Sequence, residues 1–270
     1  MIRFLNGRKI TTDQDQFGFE NRAIRYGDGL FESIRIKDFK PQFLDDHFVR
    51  LKSGCKTIGI ETGDSLKSIQ NEINSLAKNF QNAILRLSII RKPGGKYLPT
   101  NNRFDYIIEI QEFNPDLHKS TMDRIGIYTK NQKPISDYGR YKTISSMLYI
   151  LASLFAEEKN LDDALLQNTN GNIIEATSSN LFIRKGPKII TPPLSDGPIE
   201  GILRKQILGL KNLTPYYICE ESISESDLAD ADEIFLTNSI KGVVSVRFYK
   251  NKIYENIFAN FLKLKILELN

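Results

Sequence analysis

Along residues 30–36, Leu-Phe-Glu-Ser-Ile-Arg-Ile, apolar and polar side chains alternate with the period of a half-buried strand. Lys37-Asp-Phe-Lys then turns the chain into a partner strand at Gln42-Phe-Leu. From Asp45, a side chain suited to an N-cap, the residues Phe48, Leu51, Cys55 and Ile58 recur at helical spacing. A second amphipathic helix is predicted over 65–80 through Leu66, Ile69, Ile73, Leu76 and Phe80, with strands following at about 83–91 and 104–112. These elements make a small α+β domain over residues 1–113. The segment 114–120, punctuated by Pro115, reads as a linker. Beyond it the pattern predicts a strand at 124–129 and a helix from about 143 to 158 through Ile144, Leu148, Leu151 and Phe155. Short strands follow at 163–168, 173–183 and 188–191, then a helix from near Gly201 and strands at 215–219 and 232–237. No repeat or low-complexity segment interrupts the pattern. The expectation is two α+β domains, 1–113 and 121–270, with the site in a cleft between them.

Composition changes this picture little. With 270 residues, 40% hydrophobic and 26% charged, the chain has ordinary globular proportions. Its net charge of +4 comes from scattered Lys and Arg, which speaks against a nucleic-acid surface and leaves a mild field that favours anionic small molecules. Cys55 and Cys219 are far apart and lack metal-ligand spacing, so reduced thiols and no metal site are expected. The opening Met-Ile-Arg-Phe-Leu-Asn-Gly has no apolar signal-peptide core, and no run approaches the ~18 apolar residues of a membrane span. A soluble cytoplasmic protein without a membrane partner is the expectation.

The chemistry concentrates in two places. Asn170-Gly171 is a hairpin-turn dipeptide, and the apolar residues after it lead into Glu175-Ala-Thr177-Ser178-Ser179-Asn180. A strand glutamate is ordinarily an exposed half of an ion pair, but the hydroxyls and amide beside this one gather polar groups in one place. Upstream, Lys142 sits where polar sequence containing proline and glycine meets an apolar helix. Spacing alone makes it an ordinary lysine of a first helical turn. Its pairing with the Glu175 block reverses that reading.

Together these segments resemble the class IV aminotransferases, the fold of the D-amino-acid and branched-chain aminotransferases, with the likeness running from about Asn21 to Val246. The resemblance implies a two-domain α+β fold and pyridoxal 5'-phosphate, with Lys142 forming the Schiff base. Glu175 would meet the pyridine nitrogen and keep it protonated, since an opposite charge favours the charged form. Thr177, Ser178, Ser179 and Asn180 would surround the ring and its phosphate. Pro198-Ile-Glu-Gly201-Ile202-Leu203-Arg204 resembles the family's phosphate turn, whose backbone amides hold the anion, although Leu203 stands where threonine is frequent. His47-Phe-Val-Arg50-Leu51 resembles the helix whose arginine is the phosphate cation, and Thr237-Asn238-Ser239 the loop near the phosphate and the substrate carboxylate. Substrate contacts are expected from Tyr26 and Phe31 and from Lys96 and Tyr97, with Ser33 catalytic in proton transfer to the leaving group, and the resemblance implies a homodimer.

Within the family the reaction turns on a few positions. D-amino-acid aminotransferases carry arginine and histidine where this chain has Lys96 and Leu98. Branched-chain enzymes usually have glycine at the Ser33 position and a glycine-threonine-alanine-alanine loop in place of Thr237-Asn-Ser. The 4-amino-4-deoxychorismate lyases share a hydroxyl at Ser33 and a second loop like Gly94-Gly95-Lys96. Release of pyruvate and 4-aminobenzoate, in folate synthesis, is therefore preferred to transamination. An inactive scaffold of the same fold is the alternative outside enzymology, and intact Lys142, Glu175 and Arg50 weigh against it.

Overall fold

The computed structural model describes residues 1–11, 18–117, 120–211 and 213–267. His118 and Lys119 of the expected linker lie outside them. The chain forms two compact units, Met1–Pro115 with Tyr141–Ser146, and Asp116–Arg140 with Met147–Asn270.

The first unit contains β1 (Ile2–Leu5), β2 (Arg8–Ile10), α1 (Arg22–Tyr26), β3 (Gly29–Lys37), β4 (Lys40–Pro41), α2 (Leu44–Thr57), α3 (Ser65–Ala77), β5 (Asn82–Arg91) and β6 (Phe104–Glu112). Its six-stranded sheet has the order β2-β1-β6-β5-β3-β4. Alternation along β3 and β5 turns Ile34, Ile36, Leu85, Leu87 and Ile89 toward the helices, where Phe48, Leu51, Ile69 and Ile73 close the core. Phe31, Ser33, Arg86 and Ser88 therefore share the opposite face, with Phe31 paired to Ser88 and Ser33 to Arg86.

Three expectations are corrected here. The partner of β3 is Lys40–Pro41 rather than 42–44, because Asp38 and Phe39 make the turn at φ 50° and 64°. Asp45 is not the N-cap of α2; Phe43 occupies that position in the left-handed region, and Asp45 instead accepts a 2.5 Å bond from the Gln70 amide. Lys142, placed by sequence in the second domain, belongs to the first compact unit. The reason is an open sheet edge. β4 covers only Ile36 and Lys37, so the other end of β3 takes its partners from 142–144. Phe31 N–H donates to the Lys142 carbonyl at 2.8 Å, Ile144 N–H donates to the Gly29 carbonyl at 3.0 Å, and Leu30 bridges Thr143. The helix expected from 143 consequently begins at Met147.

The second unit holds β7 (Thr121–Lys133), α4 (Met147–Glu158), β8 (Asp163–Asn168), β9 (Ile173–Ala176), β10 (Asn180–Lys185), β11 (Lys188–Thr191) and α5 (Ile202–Leu208). It continues with β12 (Tyr217–Glu220), α6 (Glu225–Asp230), β13 (Glu233–Asn238), β14 (Gly242–Tyr249), β15 (Lys252–Ile253) and α7 (Ile257–Leu267). Its strands run β12-β11-β10-β13-β14-β7-β8-β9, and β9 returns to pair with β10. Six strands thus close into a barrel packed with Ile125, Leu165, Leu181, Ile234, Leu236 and Val244. The single strand expected at 173–183 is two, because Ala176 N–H bonds the Ser179 carbonyl at 2.8 Å and turns the chain. That hairpin, together with barrel closure, sets Glu175 opposite Asn180 and Asn180 opposite Thr237.

Candidate active site

In the second unit Glu175 is 2% exposed and accepts three hydrogen bonds. Its Oε1 takes the Lys133 ammonium at 2.6 Å and the Tyr149 hydroxyl at 2.8 Å, and its Oε2 takes the Ile199 amide at 2.8 Å. Burial, then the Glu175 charge and hydrogen bond, push the Tyr149 phenol well above its usual range, so it remains a donor. Asn180 Nδ2 donates to the Ile199 carbonyl at 2.7 Å, so Glu175 and Asn180 hold the N–H and C=O of the same residue, Ile199. A Cβ on Gly201 would lie 1.7 Å from Asn180 Oδ1, which explains the glycine directly. Ile202 and Leu203 follow in the first turn of α5, with the Leu203 side chain buried among Phe182 and Phe235. Its side chain belongs to the core, so only its backbone amide is left for a ligand.

The polar block divides its work. Thr177 donates its hydroxyl to Asp163 at 2.6 Å. Burial raises the Asp163 carboxyl, and bonds from Thr177 and Ala164 offset part of that rise. Asn238 Nδ2 donates to the Ser178 carbonyl at 3.2 Å and the Ser179 hydroxyl at 3.0 Å, while its Oδ1 accepts the Ile240 and Lys241 amides at 3.0 and 2.7 Å. Ser239 lies half-buried in the turn so formed. Thr237, fully buried and opposite Asn180, has a hydroxyl with no partner among the described residues. A buried orphan hydroxyl, a buried carboxylate and the first-turn backbone amides of α5 form a polar set that fits a ring nitrogen and a phosphate.

In the first unit the Lys142 ammonium lies 4.5 Å from the centroid of the Phe31 ring, and the Arg86 guanidinium carbon lies 3.7 Å from the same centroid. Arg86 escaped the sequence reading, because an arginine inside Ala-Ile-Leu-Arg-Leu-Ser resembles any outward strand residue. Arg50 is 7% exposed, and its Nε donates to Glu32 Oε1 at 2.8 Å. A second Arg50 nitrogen binds Glu32 Oε2, and His47 Nδ1 lies 2.7 Å from that same oxygen. Burial alone would raise the Glu32 carboxyl, but Arg50 and His47 overcome it and bring it down to about 2. Sequence reasoning assigned Arg50 to a phosphate and missed this clamp. The alternating strand hid Glu32, although its phase with Leu30 and Ile34 marks it as inward-facing.

The second loop is tied by its backbone. Arg22 Nη1 donates to the Gly94 and Lys96 carbonyls at 3.0 and 2.7 Å, and its Nε to Asp28 at 2.7 Å. The side chains of Lys96 and Tyr97 are exposed, and the Tyr97 ring lies 5.7 Å from that of Tyr26. Tyr26 and Tyr97 are thus brought together, and Phe31 with Lys142, as two separate groups.

A six-strand barrel whose buried glutamate, orphan hydroxyl and tight glycine turn converge defines a pyridoxal-phosphate enzyme of the aminotransferase kind. The chain belongs to the class IV aminotransferase family, whose model matches residues 29–249. An aminodeoxychorismate lyase of Vibrio harveyi is 24% identical over 230 residues, covering 84% of this chain and 84% of its own. A D-alanine aminotransferase of Bacillus licheniformis is 25% identical over 262 residues, covering 89% and 86%. Among solved structures, the branched-chain aminotransferase of Thermoproteus uzoniensis superposes with a TM-score of 0.91 at 21% identity, covering 100% of this chain and 94% of that one.

Proposed function

We propose that this enzyme is a 4-amino-4-deoxychorismate lyase, releasing pyruvate and 4-aminobenzoate for folate synthesis in the cytoplasm. The observation that carries the reading is the polar face of the first unit's sheet. There the Ser33 hydroxyl stands opposite Arg86, two residues along the strand from the Phe31 ring that receives the Lys142 ammonium. A substrate with two carboxylates and a departing enolpyruvyl group needs fixed cations and a nearby proton donor, and this face has both kinds of group. Bound pyridoxal phosphate supplies an electron sink for the bond that breaks. Lys142 provides the amine that attaches it. Glu175 accepts from the ring nitrogen, and Asn180, Asn238, Ser239 and the Gly201–Leu203 amides are positioned to hold polar groups of the ring and phosphate. Ser33 is the proton donor for the leaving group, and Arg86 with Lys96 supplies counter-charge for the anionic substrate. A second copy of the chain is part of the reading. Met147, Ile150 and Leu154 expose an apolar stripe along α4 that such a copy would cover.

The decisive experiment supplies the purified protein with 4-amino-4-deoxychorismate, and separately with branched-chain or D-amino acids plus 2-oxoglutarate. The expected result is 4-aminobenzoate. Robust glutamate formation with no 4-aminobenzoate overturns the lyase reading and moves the protein to the transaminases of the same family.

A further inference from the structure

Lys133 is buried at the end of β7, 6% exposed, with its ammonium 2.6 Å from Glu175 Oε1 and 5.5 Å from the centroid of the Tyr149 ring. A buried lysine needs a reason, since desolvating an ammonium is costly unless an anion meets it. The two oxygens of Glu175 are treated unequally. Oε1 receives both side-chain donors, Lys133 and Tyr149, whereas Oε2 receives a single backbone amide, that of Ile199. A carboxylate offers about four acceptor sites, two on each oxygen. Three are filled among the described residues, and the vacancy is on Oε2. Lys133 is also too close to Glu175 to be the amine that attaches the cofactor, because the aldehyde carbon lies para to the ring nitrogen that Glu175 would meet.

We propose that Lys133 is a positioning residue that turns Glu175 so that Oε2 meets the cofactor's ring nitrogen, and that its charge loosens the proton held there. The proposal rests on Glu175 being the partner of that nitrogen. Of the other titratable groups near Glu175, Tyr149 from α4 stays protonated and Asp163 from β8 is bound by Thr177. Lys133 is therefore the cation in direct contact with Glu175 among the described residues. A Glu–Lys pair presents almost no net charge to the ring, whereas a lone carboxylate presents a full negative one. Removing the ammonium strengthens proton binding on nearby groups, so the titration of the bound cofactor must move to higher pH.

The test is a pH titration of the visible absorption band of the holoenzyme, read without turnover. Lys133→Met should move the midpoint upward by about 1, a tenfold change in proton affinity. Lys133→Arg, which keeps the charge, should restore it. Lys133→Gln keeps a donor for Oε1 and removes the charge, so it carries the same expectation if the methionine variant does not fold. Tyr149→Phe removes a neutral donor and should shift the midpoint far less. A purely structural lysine would lower the melting temperature and leave the midpoint in place. If the Lys133 variants leave the midpoint unchanged while Glu175→Gln moves it, the role given to Lys133 is wrong and that of Glu175 stands. If neither moves it, Glu175 does not meet the ring nitrogen, and both readings fall together.

Discussion

Two buried glutamates, each 2% exposed and each bound to a cation, have different futures in this molecule. Glu32 sits in the first unit under α2, with both oxygens engaged by the Arg50 guanidinium and one of them also by His47. A planar fork on a planar carboxylate fixes both groups at once, and the pair is surrounded by Leu30, Leu51 and Cys55 of the core. Glu175 in the second unit has a point charge on one oxygen and only a backbone amide on the other. It stands on a barrel strand beside Asn180, whose other strand partner is Thr237 with its orphan hydroxyl. Burial and a salt bridge therefore do not by themselves mark a functional carboxylate. Each carboxylate is hydrogen-bonded on both oxygens, so what separates the two is the kind of partner: a rigid guanidinium fork spanning both oxygens of Glu32, and a single ammonium on one oxygen of Glu175.

The comparison can be broken most sharply through Lys142, the lysine proposed to attach the cofactor. Lys142→Ala should abolish turnover, and borohydride reduction of the native holoenzyme should place the pyridoxyl label on Lys142 in peptide maps. A label on Lys133 would mean that Glu175, 2.6 Å from that ammonium, does not meet the ring nitrogen. Next in size is Arg50→Ala, which strands Glu32 in the core. Breaking a buried pair costs about 3–5 kcal/mol, so denaturant melts should show a loss of that order in addition to weakened cofactor retention. Unchanged stability would mean that the Glu32 clamp does not hold the fold. Glu175→Gln breaks the buried pair with Lys133, so it should lower stability on a similar scale and, in addition, lower turnover ~10²-fold or more, the scale on which positioned charges act. A turnover loss of that size in Glu32→Gln, with none in Glu175→Gln, would refute the distinction.

The pH dependence follows from the Glu32 carboxyl, lowered from 4.5 to about 2. A depressed carboxyl contributes stability that is complete above its ordinary value and lost as pH falls through the folded one. Melting temperature should therefore drop between about pH 4.5 and 2 in wild type, and Glu32→Gln should lack that part of the slope. The smallest effect is expected at the exposed Lys96. Lys96→Ala should raise KM for the anionic substrate a few-fold with kcat nearly unchanged, since a solvated counter-charge contributes about 0.2–1 kcal/mol.

The sequence by itself determined the strands and helices whose apolar period is strong: β5, β6, β8 and β11 fall where alternation and short apolar runs place them. It determined the chemistry of the Glu175 block as well, because a carboxylate followed by three hydroxyls and an amide is a local pattern. The turn at Gly201 was legible for the same reason, with Gly201 answering to Asn180. Tertiary structure decided what those groups touch. Lys133 and Tyr149 lie 42 and 26 residues from Glu175, Glu32 lies 18 from Arg50, and Arg86 lies among ordinary-looking neighbours, so no local period marks them. The departure of residues 141–146 to the first unit was equally hidden, because it depends on an uncovered sheet edge rather than on propensity. Periodicity reports which face of an element meets apolar matter. Which buried charge meets which counter-charge is fixed only when distant strands close around them.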